Sequence, residues 1–206
     1  MYRHERDETD NKGYSGAAYE KNIWETAISL IRKVGYNQVT IEDITKAAGV
    51  SKGTFYLYFD TKDAVLAEQF SELDRHYCNT IKNLPAEPVD RQLLYFIQQM
   101  CMYCQNVCGL NIMKTLYMNQ ISTELRTQLL NNKERPFFTI MTNFVYCGRT
   151  SGLFRSDIDE DELTTILIRA VHGLIYDWCL YDAEFDLVEE SKVYMKYTLE
   201  MIKAPS

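Results

Sequence analysis

The chain has 206 residues, enough for a small domain beside a larger one, and its 22 basic and 29 acidic residues leave a net charge of −7. Such a balance excludes a uniformly basic nucleic-acid coat, and no run of about 20 apolar residues reads as a membrane span. Six cysteines without a secretory signal point to free thiols and a cytoplasmic location rather than to a disulfide framework.

The first 18 residues carry Arg3, His4, Arg6, Asp7, Glu8 and Asp10 ahead of Gly13 and Gly16, and read as a flexible arm of mixed charge. A small helical domain is expected over 19–65. Within it, Ile41, Ile44, Ala47 and Ala48 recur at helical spacing behind Thr40, and Asp43 stands where a capping box needs its acceptor. Gly49 follows the last periodic residue and can end that helix in a left-handed conformation. Ser51 caps the next helix, Lys52 to about Phe59, where Phe55 and Phe59 share one face as core anchors. The other face offers Ser51, Lys52, Gly53, Thr54, Tyr56, Leu57 and Tyr58, a set poor in acids and suited to phosphates and base edges. Lys62 follows Thr61 at the start of a fourth helix, placed to grip a phosphate at a helix N-terminus. Two helices about a tight turn, the second presenting such a face, form a helix-turn-helix unit.

The run from Tyr19 to about Phe70 resembles the N-terminal domain of the TetR-type (TetR/AcrR) repressor family. The likeness lies in Thr40 with Ile44, then A-A-G-V-S-K-G-T-F-Y-L-Y-F from Ala47 to Phe59, then T-K-D-A-V-L from Thr61 to Leu66. The resemblance implies a homodimeric regulator that binds a double-stranded operator with inverted-repeat symmetry, usually as a repressor, and whose C-terminal domain receives a small-molecule effector. It also implies DNA contacts from Thr40, Ser51, Lys52, Gly53, Thr54, Tyr56, Tyr58 and Lys62, with Leu57 at a variable, sequence-selecting position. Tyr58 stands where the family frequently has His. The charge divides accordingly: 19–62 carries +1 and 63–206 carries −7, so the acid excess lies outside the DNA-reading segment.

Beyond Lys62 the pattern stays helical, giving an all-α chain of about nine helices whose second domain, 66–206, serves effector binding and dimerisation. The fourth helix runs to about Asn83 and ends at the linker containing Pro85 and Pro88. A fifth is expected from Val89 to Cys108, a broken stretch from Leu110 to about Lys133, a seventh from Pro136 to Arg149, and two more over 159–181 and 187–203. Adaptable apolar side chains concentrate between Leu93 and Phe144, so an apolar or aromatic effector is expected among Phe96, Met100, Tyr103, Met113, Tyr117, Phe138, Met141, Phe144 and His172. Leu167, Val171, Leu174 and Trp178 on the eighth helix and Tyr194, Tyr197 and Met201 on the ninth are assigned to a four-helix dimer interface, as the resemblance implies.

Cys101, Cys104 and Cys108 suggest an alternative, a thiol- or metal-responsive regulator. On one straight helix, however, Cys101 and Cys108 lie roughly 10 Å apart along the axis, too far to share one ion, so packing is the simpler role and neither a metal nor a cofactor is expected. A cysteine-dependent enzyme is the remote rival. Neither the three histidines, His4, His76 and His172, nor the acidic run Asp157 to Glu162 sits in a nucleophile-elbow, phosphate-loop or dinucleotide-binding context, and no catalysis is expected.

Overall fold

The computed structural model describes residues 16–121 and 129–205. The arm expected over 1–18 falls mostly outside them, and its last three residues already belong to the first helix. The described chain is helical; its one extended pairing is an isolated antiparallel bridge between Phe154 and Lys203. It divides into two compact units, 1–68 and 69–206.

In the first unit, α1 (Gly16–Val34) buries Ile23, Ala27, Ile28 and Ile31, spaced to form one stripe, and packs against α2 (Ile41–Ala48) and α3 (Lys52–Tyr58). A 3-10 turn, Tyr36–Gln38, joins α1 to α2. The caps that frame the turn between α2 and α3 are made locally, while Asn22 on α1 donates to Ala48 O at 3.0 Å. Asp43 N–H donates to Thr40 Oγ1 at 3.1 Å while Thr40 N–H donates to Asp43 Oδ2 at 2.9 Å, closing the capping box. Gly49 ends α2 at φ 69°, a conformation in which a side chain would be strained. Ser51 Oγ then accepts from Thr54 N–H at 3.0 Å to begin α3. The buried residues of α2 are Ile44 and Thr45, whereas Ala47 faces solvent.

α4 (Lys62–Lys82) begins in the first unit and continues into the second. The second unit also holds α5 (Val89–Met102), α6 (Leu110–Ile121), α7 (Pro136–Thr150), α8 (Glu160–Leu180) and α9 (Leu187–Ile202). The expected fifth helix does reach Cys108, but its last six residues, Tyr103–Cys108, widen into a π-helical turn in which Gly109 N–H reaches back to Cys104 O at 2.9 Å. α5 packs on α9 and α7, and α8 on α6, α7 and α9.

The segment from Gly148 to Asp159 shows how a short sequence fixes two helices at once. Phe154 is buried directly against Gly148, where a Cβ would come within 2.1 Å of its ring. The chain then pairs with the end of α9 through Arg155 N–H to Ile202 O and Ala204 N–H to Leu153 O, both 2.9 Å. Asp159 caps α8 by accepting from Asp161 N–H at 2.9 Å. α8 is long and apolar enough, by composition, to cross a membrane; half of the apolar window is buried inside the fold, which accounts for that composition without a bilayer.

Candidate nucleic-acid interface and effector cavity

α3 turns two chemically different faces outward and inward. Phe55 is fully buried and Phe59 nearly so, their ring centroids 5.8 Å apart, while Leu57 is 80 % exposed and Tyr56 52 %. An aliphatic side chain so exposed beside an exposed ring is what a protein–DNA contact surface needs at base methyls and phosphates. Lys52 and Ser51 are exposed at the start of the helix. Lys52 is already held, its Nζ 2.9 Å from Glu42 Oε2, an ion pair that raises its pKa, so a phosphate there must replace a carboxylate. Gly53, the next residue, is exposed as well. The Thr40 hydroxyl is engaged in the capping box, and that bond is the main cause of the depressed pKa of Asp43.

Two residues sit differently from their sequence-based assignment. The Lys62 ammonium donates to Tyr36 O and Val39 O, each at 2.8 Å, and lies 3.8 Å from the Tyr36 ring centroid. Two of its three N–H donors therefore close the turn before α2, and burial pulls its pKa down. Its placement is that of an internal clamp, leaving at most one donor for a phosphate. Tyr36 in turn donates its hydroxyl to Asp63, so the same aromatic ring ties the turn to α4's first residues. Tyr58 is half-buried with its hydroxyl against Gly16 at the start of α1, which shortens its reach toward a phosphate.

The second unit contains an interior cavity of about 30 Å³, the size of a water molecule. Of the nine residues expected around an effector, Met100, Met113, Tyr117 and His172 line it. Phe96, Met141 and Phe144 are instead close-packed core, with Phe96 and Phe144 5.6 Å apart, and Tyr103 stacks on His76 at 4.2 Å. Phe138 belongs to an open groove of about 660 Å³ between α7 and α8, lined by polar residues such as Asn131, Lys133, Thr142, Asn143 and Arg169. His172 borders both spaces. Its ring stacks on Phe137 at 5.6 Å, and burial, reinforced by the charge of Arg135, pushes its pKa down to about 4, so it is neutral near pH 7. The Tyr117 hydroxyl donates to His172 O at 3.0 Å.

The sequence-based assignment missed the wall contributed by α4, namely Phe70, Leu73 and Tyr77, and it missed Arg135. The three α4 residues recur at helical spacing, a readable signal. Arg135 gives none, because a charged residue beside Pro136 reads as a solvated helix start. It is buried, donating from Nε and Nη2 to both carboxylate oxygens of buried Asp74 at 2.9 and 3.0 Å.

Cys101, Cys104 and Cys108 are all buried, as packing residues should be. Desolvation pushes the Cys101 thiol up to about 12 and the Cys104 thiol well above its ordinary value, which opposes the thiolate that metal binding or oxidation requires. Among the described residues no group of three or more His, Cys, Asp or Glu is placed to hold a metal ion. On α8, the expected interface residues Leu167, Val171, Leu174 and Trp178 are buried within their own chain, because that stripe faces the intrachain core. Tyr194, Tyr197 and Met201 on α9 are exposed.

The family model described as bacterial regulatory proteins, tetR family, matches residues 23–68, and that of the YsiA-like protein C-terminal region matches residues 66–201. The HTH-type transcriptional repressor DhaR of Mycobacterium sp. (strain GP1) is 30% identical over 162 residues, spanning 75% of this chain and 79% of its own. The fatty acid metabolism regulator protein of Bacillus subtilis (strain 168) is 26% identical over 168 residues, spanning 81% and 86%. The crystal structure of a transcriptional regulator FadR from Bacillus subtilis in complex with stearoyl-CoA superposes with a TM-score of 0.71 at 20% identity, covering 88% of this chain and 98% of that one.

Proposed function

The chain belongs to the tetR family of bacterial regulatory proteins, and on that premise we propose that it is a cytoplasmic, homodimeric repressor that leaves an inverted-repeat operator when a long-chain acyl effector enters the second unit. The family makes it a DNA-binding regulator of transcription with a small-molecule effector. The observation that carries the DNA reading is the division of α3, with Phe55 and Phe59 buried behind it and Tyr56 and Leu57 exposed in front. Tyr56, Leu57, Thr54 and Gly53 are assigned to the groove, Ser51 and Lys52 to phosphates, and Thr40, Tyr58 and Lys62 to holding the reading helix in register.

Two kinds of space support the effector class. The interior cavity is mostly apolar, the α7–α8 groove is polar and carries Lys133 and Arg169, and His172 stands between them. An apolar chain inside with a polar head in the groove fits that pairing, and the stearoyl-CoA complex of the Bacillus subtilis relative supports it. A chain cannot enter about 30 Å³ unless the walls move. One wall is α4, which begins in the first unit, so the effector selects a state with α4 displaced and weakens operator binding by its preference for that state. For the dimer, exposed Tyr194, Tyr197 and Met201 pair with the outward face of α8, where Gly173 has open space above it and Leu180 is 59 % exposed.

Selection of bound sequences from a random duplex pool, near physiological salt, tests the reading, with a Tyr56→Ala/Leu57→Ala variant as control. An enriched inverted repeat that the control fails to enrich is the expected result. A folded dimer that enriches nothing, or a control that enriches the same repeat, defeats it.

A further inference from the structure

Resting on that effector reading, we propose that Arg135, held by Asp74, donates a hydrogen bond to an uncharged carbonyl oxygen at the head of the bound chain, making the cavity selective for acyl esters and thioesters over free carboxylates. The Asp74–Arg135 pair is bidentate, both side chains are nearly buried, and the guanidinium also donates to Leu129 O at 3.1 Å and lies 4.9 Å from the Phe70 ring centroid. Arg135 borders the cavity and Asp74 does not. Burying two charges costs more than packing apolar side chains of similar volume often would, so stability alone is a poor reason for this pair.

The chemistry of the remaining lining narrows the ligand. Among the described lining residues Arg135 is the one charged group; Tyr117 spends its hydroxyl on a backbone carbonyl and His172 is neutral. A guanidinium carries five N–H donors, and the bonds to Asp74 and Leu129 engage three of its nitrogens without exhausting their hydrogens. Asp74 neutralises the charge while fixing the plane of the fork. The pair therefore offers strong donors at no net charge. A neutral carbonyl accepts from such a group, whereas a carboxylate enters against the neighbouring Asp74 charge in a low-dielectric interior.

The test measures binding of three probes to the full chain by calorimetry: lauroyl-CoA, its thioether analogue S-dodecyl-CoA, which lacks only the carbonyl oxygen, and laurate. Wild type should prefer lauroyl-CoA over S-dodecyl-CoA by about tenfold, the worth of one charge-assisted hydrogen bond. Asp74→Asn, which leaves Arg135 with a net positive charge, should gain affinity for laurate relative to lauroyl-CoA. Asp74→Asn/Arg135→Gln, which keeps a hydrogen-bonded neutral pair and so a folded unit by circular dichroism, should bind the two CoA compounds equally. Equal binding of the two by wild type overturns the proposal, as does a preference that survives in the double variant or an unmoved laurate affinity in Asp74→Asn. If wild type binds none of the three while still holding its operator, the acyl effector class itself falls, and this assignment with it.

Discussion

The caps of α2 and α3 and the cavity region satisfy their polar groups over very different stretches of chain. Around the turn between α2 and α3 the bonds of the caps span three residues, Thr40 to Asp43 and Ser51 to Thr54. Around the cavity they span 61 residues from Asp74 to Arg135 and 55 from Tyr117 to His172. Local satisfaction leaves the outer face of α3 free of structural duty, so Leu57 and Tyr56 can vary with the DNA they meet while the helix persists. Long-range satisfaction does the reverse. The Asp74–Arg135 and Tyr117–His172 bonds beside the cavity each tie distant segments together, so a ligand that displaced either would work against the fold.

The largest expected effect tests whether the reading helix depends on its buried side alone. Phe55→Ala removes a fully buried ring and should cost about 3–5 kcal/mol, measured by urea unfolding of the full chain, with loss of DNA binding as the structural consequence. A cost below 1 kcal/mol would mean that the local caps, not the core, carry α3. In the cavity region the comparable quantity is pH-dependent. His172 has its pKa lowered from 6.5 to about 4, so the unfolded chain takes up the proton first and stability present above pH 6.5 is lost as the pH falls through about 4. The shift corresponds to about 3 kcal/mol, and His172→Gln should unfold with that much less sensitivity across the same window. Parallel pH profiles for the two proteins would contradict a buried neutral His172.

The same contrast decides what could be read without coordinates. Thr40, Gly49 and Ser51 announce the ends of α2 and α3 because each acts on residues at most five positions away, and Phe55 with Phe59 declares the inner face by spacing alone. Helix order and the end of the fifth helix were legible for the same reason. The π-helical turn at Tyr103–Cys108 was not, since it changes hydrogen-bond partners without changing the apolar pattern. The α8 stripe of Leu167, Val171, Leu174 and Trp178 was visible as apolar, yet periodicity cannot say whether a stripe faces its own chain or a second copy. Arg135 was invisible, because its burial depends on Asp74 from another helix. Lys62 was visible, but its bonds were not: the sequence shows a cation at a helix start, and only the fold shows Tyr36 O and Val39 O in front of it.

That last point can be separated experimentally from DNA contact. Lys62→Met keeps the stem over Tyr36 but removes both bonds to the carbonyls, and should cost roughly 2 kcal/mol in the unfolding of the chain. Tyr56→Ala, at an exposed site, should change stability by less than about 0.5 kcal/mol while weakening operator binding. If Lys62→Met instead leaves stability unchanged and lowers DNA affinity with a reduced salt dependence, the ammonium belongs to a phosphate after all.

The smallest effect asks how much one local cap contributes. Thr40→Ala deletes both the acceptor for Asp43 N–H and the donor to its carboxylate, and should cost about 1 kcal/mol near neutral pH. The loss should itself depend on pH. The Thr40 hydroxyl and amide bonds hold the Asp43 pKa below its ordinary 3.8, so this contribution is complete above that value and disappears as the pH falls through the lower folded one. Wild type should therefore converge on Thr40→Ala once the pH has fallen through that lowered value, apart from the bond that Thr40 still makes to Asp43 N–H. A constant gap at all pH values would show that the backbone half of the capping box does the stabilising and that the Asp43 carboxylate is a bystander. Because Thr40 also stands at the edge of the reading surface, the same variant fixes its role: DNA affinity that falls no further than the stability loss explains keeps Thr40 a cap, and a larger fall makes its hydroxyl a contact.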